Sequence, residues 1–231
     1  MMNKTRAAKK GEEGEKLVES LLSKDVSFHR LINNLVLLGE NNISHQIDHI
    51  FIRDNGVFVI ETKNYYGEIR GQEDDSFWTR SYFVKGKIKT VSFHNPLKQN
   101  QSHVRIIKRL IGKDYPIYCF VAFTQNNVDK LNLFNVCNAN DLLNRIKLIT
   151  SEKVIVDNEI EKINQILLTN EADINNEQHV NRVKEAEKDR KERQKKIRLA
   201  IEKRICPKCS KTLIMKNGQL VCPFCQTIIK I

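Results

Sequence analysis

The chain has 231 residues, 40% of them hydrophobic, and a formal net charge of +11. That length suits one medium domain plus an appendage, and the charge points to a polyanionic partner, nucleic acid ahead of an acidic membrane. No stretch of about 18 apolar residues argues for a transmembrane helix, and MMNKTRAAKK lacks the apolar core of a signal peptide, so a cytoplasmic location is expected.

Residues 1–10 look like a loose basic arm. Glu12 to Ser23 are expected to be helical, because Leu17, Val18, Leu21 and Leu22 form an apolar stripe at helical spacing. Glu15 stands near the start of that helix, where a carboxylate interacts well with the helix dipole. Phe28 to Leu38 reads as a strand, and Gly39-Glu40-Asn41-Asn42 as the turn after it.

Gln46 to Lys63, QIDHIFIRDNGVFVIETK, reads as a β-hairpin, with Asn55-Gly56 as a two-residue turn. That register pairs Asp54 with Val57, Ile50 with Glu61 and Asp48 with Lys63. Alternation then places Asp48, Glu61 and Lys63 on one face, beside Ile50, Ile52, Val57 and Val59. Charges on such a face need partners. The plain explanation is a structural Asp48–Lys63 ion pair with Glu61 in solvent. The chemical one is a hard cation such as Mg²⁺ on Asp48 and Glu61, with Lys63 orienting a bound water. His29, His45 and His49 fit surface or strand positions, and alternation turns His49 away from Asp48.

After Lys63, Asn64-Tyr65-Tyr66-Gly67 is either a bend or a mouth on which a base can stack. Glu68 to Gly71 and Phe77 to Phe83 read as short strands, with Trp78 as packing and Lys85-Gly86-Lys87 as a basic hairpin tip. Asn95 is a good N-cap and Pro96 a good first residue for a helix. Gln99 and His103 share a face of it, ordinarily a solvated one.

Four blocks of this stretch resemble the nuclease-related domain, NERD, of the PD-(D/E)xK nucleases. They are GEEGE at Gly11–Glu15, QIDHI at Gln46–Ile50, VIETKNYYGEI at Val59–Ile69 and NPLKQN at Asn95–Asn100. Ile47 replaces the proline of the motif's name. The resemblance covers roughly residues 11–124. It implies a restriction-endonuclease-like mixed β-sheet flanked by helices, and hydrolysis of phosphodiester bonds with Mg²⁺ or Mn²⁺. Asp48 and Glu61 would be metal ligands, joined by the Thr62 carbonyl, and Lys63 would be catalytic. It also implies that Glu15 lies beside the metal and Gln99 borders the site, while His103 replaces a tyrosine of related nucleases. DNA is the favoured substrate over RNA, and a homodimer is allowed because many double-strand cutters work in pairs.

Pro116 to Thr124 suits a central strand covered on both faces, with Cys119 as an unreactive thiol. Leu131 to Val136 reads as another strand, with helices at Ala139–Ile149 and Val156–Leu168. These close an α/β domain over residues 11–170. From Glu171 to Arg204 the composition becomes that of a charged helical spacer.

The last segment, residues 205–231, carries Cys206-Pro-Lys-Cys209 and Cys222-Pro-Phe-Cys225, a pattern that suits tetrahedral Zn²⁺ in a small ribbon. Lys216-Asn217-Gly218 supplies a turn between the knuckles. The ribbon is similar to the zinc fingers appended to bacterial type I topoisomerases, which implies DNA contact. Docking of a protein partner on the ribbon, or nucleic-acid binding without turnover, is the alternative function.

Overall fold

A computed structural model describes residues 6–39, 43–174, 176–216 and 218–229. Residues 1–5 of the expected arm, 40–42 of the expected turn and Asn217 lie outside them. The chain divides into two compact units, residues 1–173 and 174–231. No helix among the described residues is long and apolar enough to cross a membrane.

The first unit is an α/β structure. Its main sheet runs in the order β1 (His29–Leu38), β2 (Ser44–Arg53), β3 (Gly56–Lys63), β7 (Ile117–Phe123) and β8 (Val136–Asn138). The first three strands are antiparallel, and β7 and β8 are added in parallel. The remaining elements of this unit are α1 (Arg6–Leu22), β4 (Glu68–Arg70), β5 (Phe77–Val84), β6 (Lys87–His94), α2 (Pro96–Ile111), α3 (Ala139–Lys147) and α4 (Asp157–Thr169). Val57, Val59, Ile50 and Ile52 pack against Ile106 and Ile107 of α2 and Ile160 and Ile163 of α4. On the other face, Phe51, Phe58 and Ile60 meet Val18 and Leu22 of α1 and Leu142 and Ile146 of α3. The continuous apolar run of β3 is thus explained, since both of its faces are covered.

The central hairpin forms with a different register. Arg53 pairs with Gly56 and Ile50 with Val59, so Asp54 and Asn55 make the turn. Two tertiary contacts select it. The Asn55 amide donates to Ile146 O and Ile149 O at the end of α3 (2.9 and 3.0 Å). Gly56 has φ +154°, and a Cβ there would meet the Tyr118 ring at 2.6 Å. The register moves by two residues, an even number, so every side chain keeps the expected face.

Helix α1 begins at Arg6, within the expected loose arm. Its close packing rests on Gly14, where a Cβ would lie 2.9 Å from Asn64 Cβ. Asn64 also donates to Lys10 O at 2.6 Å. The region around Leu131 to Val136 is mainly turns and irregular chain, and β8 is a three-residue strand starting at Val136. Strands β4, β5 and β6 form a separate antiparallel sheet. Trp78 is buried there and donates to Gln72 O, as packing predicts. Cys119 and Cys137 are free, and burial pushes both thiols up to about 12.

In the second unit, α5 (Asn176–Lys203) is followed by β9 (Ile214–Lys216), β10 (Gln219–Val221) and β11 (Ile228–Ile229), which form a small sheet with β10 central.

Asn95 fastens the start of α2. Its Oδ1 accepts from Leu97 N at 2.9 Å, and its amide donates to Glu73 O and Asp75 O at 2.8 Å each. Asn95→Ala is expected to lower stability by about 1–3 kcal/mol, because it removes a cap and the bonds to two partly buried carbonyls. Urea unfolding of the full chain measures this loss.

Candidate active site and cysteine centre

The end of β3 gathers the charged side chains. Extending the observed ladder one step beyond His49–Ile60 puts Asp48 across from Glu61. Asp48 Oδ2 accepts from Thr62 N at 2.7 Å. Glu61 Oε1 accepts from Lys63 Nζ at 2.5 Å and from Gln99 Nε2 at 2.8 Å. Lys63 Nζ also donates to Gln99 Oε1 at 3.2 Å, closing a triangle. Glu61 is therefore not the solvated carboxylate of the plain explanation, for its side chain is only 4% exposed. Its second oxygen, Oε2, is buried without a hydrogen-bond partner.

Helix α2 reaches this end of the sheet because Asn100 is buried and donates to Val59 O and Phe120 O (2.7 and 2.8 Å). One residue earlier on the helix, Gln99 meets Glu61 and Lys63. One turn later, His103 comes within 3.8 Å of Glu61 Oε2, too far for a hydrogen bond. His103 is buried rather than solvated, and His45 meets its ring edge-on at 5.7 Å. The shared face of Gln99 and His103 was the available signal. What conceals this face from water is the crossing of α2 over β3.

Glu15 occupies α1 well beyond its first turn, so the helix dipole does not account for it. It lies close enough to Asp48 to disfavour that carboxylate's ionisation. His49 is buried on the opposite face, with Nδ1 2.7 Å from Asn33 Oδ1. Thr62 presents its backbone to Asp48, while its hydroxyl is buried without a hydrogen-bond partner.

Burial, then the negative charge of Glu61, raise the Asp48 pKa well above the ordinary carboxylate value. Burial opposes the charge on Lys63, but the adjacent Glu61 outweighs it and the Lys63 pKa is raised. Lys63 is thus a fixed cation near neutrality. Burial, then the His45 and Lys63 charges, lower the His103 pKa to about 4.

The oxygen donors fit a hard divalent cation. Glu61 Oε2 is an acceptor with nothing to accept, and Asp48 is oriented through its other oxygen. Among the described residues, the one group of three or more His, Cys or carboxylate donors lying within 4.8 Å of one another is instead Cys206, Cys209, Cys222 and Cys225.

The two cysteine knuckles are built alike. Ser210 N donates to Cys206 O at 2.8 Å, and Gln226 N donates to Cys222 O at 2.9 Å. Cys206 N donates to Lys211 O, and Cys222 N to Thr227 O. Ser210 and Gln226 both have positive φ, 58° and 57°. All four thiols are free, with Sγ pairs at 3.5 and 3.4 Å. Four sulfurs around one zinc at about 2.3 Å would stand about 3.8 Å apart, so the quartet suits a zinc-binding motif.

Asp48 has a folded pKa above its unfolded one, so the metal-free fold loses stability as pH rises between those values. Asp48→Asn keeps an oxygen for Thr62 N and removes this cost. It is expected to stabilise the metal-free chain at pH 7, and the gain should vanish on acidification below the unfolded carboxylate pKa of about 3.9. Thermal melts of both proteins across that range provide the comparison.

Residues 10–124 match the family of the nuclease-related domain, NERD. An uncharacterized protein of Bacillus anthracis is 43% identical over 115 residues, which are 49% of this chain and 52% of the relative. The chain thus spans about half the length of the curated relative it matches. No solved structure matches the chain. The segment that carries Glu15, Asp48, Glu61, Lys63 and Gln99 is a nuclease-related domain.

Proposed function

We propose that the chain is a nuclease that hydrolyses phosphodiester bonds of DNA with the help of Mg²⁺ or Mn²⁺. The observation that carries this reading is the buried, unpartnered Glu61 Oε2 beside Asp48 and Lys63. An isolated buried carboxylate oxygen is costly, and a cation next to it would offset that cost.

In this reading Asp48 and Glu61 hold the metal, joined by the backbone carbonyl of Thr62. When bound, the ion would polarise the phosphoryl oxygen and supply an acidified water. Lys63, charged at neutral pH, stabilises negative charge that develops on the phosphate. Gln99 keeps the Lys63 ammonium and the Glu61 carboxylate in one orientation. Glu15 adds negative charge next to Asp48, which favours a cation there and disfavours an empty site.

The cysteine quartet holds a structural Zn²⁺ in this proposal, and the ribbon with basic α5 retains nucleic acid. Residues 181–204 carry eleven Lys or Arg and five Asp or Glu, a net +6. Such a helix attracts a phosphate backbone without reading sequence.

Glu61→Gln is expected to reduce metal-dependent cleavage of labelled DNA by at least about 10²-fold, and Lys63→Ala by about 10²–10³-fold. Gel assays with added Mg²⁺ or Mn²⁺ test both. Binding without any cleavage by the parent chain would instead favour a nucleic-acid-binding adaptor.

One equivalent of zinc should copurify with the chain. A strong chelator should remove the β9–β11 amide signals from an NMR spectrum while leaving those of β2 and β3, because the ribbon's described residues bury few apolar side chains. A ribbon spectrum unchanged in metal-depleted protein would refute the structural zinc.

A further inference from the structure

A second surface leaves the same end of β3. Lys63 is followed by Tyr65 and Tyr66, and Gly67 brings this linker against β5. Gly67 has φ +94°, and a Cβ there would lie 2.5 Å from Ser81 O and 2.9 Å from Tyr82 Cβ. The linker therefore lies directly on the β5–β6 hairpin.

That hairpin has two different faces. Trp78 pairs with Phe93, Arg80 with Val91, Tyr82 with Lys89 and Val84 with Lys87. Directly paired residues share a face, so these four pairs form one strip. Its base is apolar core, where Trp78 is buried and Phe93 packs with it. Farther out, the strip carries Arg80, Tyr82, Lys89 and Lys87. The other face has a hydroxyl ladder, with Ser81 and Thr90 bonded at 2.9 Å.

The aromatic rings and cations of the strip are interleaved. Tyr66 and Tyr82 have ring centroids 4.6 Å apart. The Arg80 guanidinium lies 4.8 Å from the Tyr65 ring, 5.4 Å from Tyr82 and 5.7 Å from Tyr66. Lys10 of α1 lies 4.8 Å over Tyr66, which stays 44% exposed. There is no Asp or Glu between Ser76 and His94. Among the described residues, neither Arg80, Lys87, Lys89 nor Lys10 has a carboxylate within ion-pair distance.

We infer that this strip binds an unpaired nucleic-acid strand flanking the phosphate to be cut, with a base on the Tyr66–Tyr82 rings and phosphates on Lys87 and Lys89. The inference rests on the nuclease reading for its place beside the scissile phosphate, but not for its binding. Two features favour a single strand as occupant. Unneutralised cations complement a phosphate backbone, and aromatic side chains stack bases whose faces a duplex conceals. Tyrosine stacking tolerates any base, so the strip selects strandedness rather than sequence.

The test is fluorescence anisotropy of the full chain with a labelled single strand and its duplex, without added divalent metal, across a salt series. Tyr66→Ala/Tyr82→Ala is expected to weaken single-strand binding about tenfold or more, with a smaller effect on the duplex. Tyr66→Phe/Tyr82→Phe retains the rings and should bind as the parent does, which separates lost stacking from lost folding. Lys87→Ala/Lys89→Ala should reduce the slope of log affinity against log salt by about 1.4, two phosphates at about 0.7 each. Single-strand binding that survives both alanine pairs, or a parent chain that binds no single strand, would overturn the inference. Cleavage by a parent whose strip variants bind normally would remove the strip and leave the nuclease standing. Strip-dependent binding without cleavage would do the reverse.

Discussion

The Glu61 carboxylate sets the terms for the first unit. One of its oxygens is occupied by Lys63 and Gln99, and the other is buried with no hydrogen-bond donor. Holding a charge in that condition requires a backbone that cannot relax around it. Val57 to Ile60 provide that backbone, because they are completely buried on both faces of the sheet. Asn100 locks α2 to Val59 O and Phe120 O, which fixes where Gln99 and His103 stand. Asn64 ties the end of β3 to α1 through Lys10 O and accepts from Thr124 Oγ1 at 2.9 Å. Three asparagines, counting Asn95, thus transfer the rigidity of the core to its polar end. A buried amide is suited to this work, since it joins carbonyls of separate elements without adding another charge.

The features legible in the sequence are those set by local periodicity. Alternation along β2 and β3 put Asp48, Glu61 and Lys63 together, and the spacing of the two Cys-x-x-Cys pairs predicted their convergence. The turn did not obey local chemistry alone. Asn-Gly is a strong two-residue turn, but here Asn55 is recruited by carbonyls of α3 and Gly56 by the ring of Tyr118. Neither partner is near in sequence. The expected placement nevertheless survived, because the shift was even.

Other differences have the same origin. Nothing in the polar Arg6–Lys10 stretch signals a buried face, and its helix is retained partly by Asn64, far along the chain. His103 looked solvated because helical spacing reports which residues share a face, not what that face meets. Leu131 to Val136 has strand-like residues, but Arg145 on α3 donates to Leu133 O, Phe134 O and Val136 O, satisfying carbonyls that a ladder would otherwise need. The hairpin tip at Lys85-Gly86-Lys87 was legible, but the extent of β6 was not, since Lys87 and Lys89 interrupt the apolar alternation that marks a half-buried strand.

The two candidate metal positions stand in opposite relation to folding. Among the described residues, the ribbon's buried side chains are Cys206, Leu213, Leu220, Cys222 and Ile229, too few to offset the chain entropy of ordering it. A metal there would be a cause of structure, and its ligands need only be close in sequence pairs. At Glu61 the order is reversed. The sheet and four helices are held by extensive apolar clusters on both faces, and the carboxylates gather because those clusters leave them no other position. A metal there would be a consequence of structure, bound by side chains already oriented and already paying in repulsion. That difference explains why cysteine spacing alone identifies four ligands of one ion, whereas strand alternation brings Asp48 and Glu61 together but only the fold buries Glu61 and adds Gln99 and Glu15 to it.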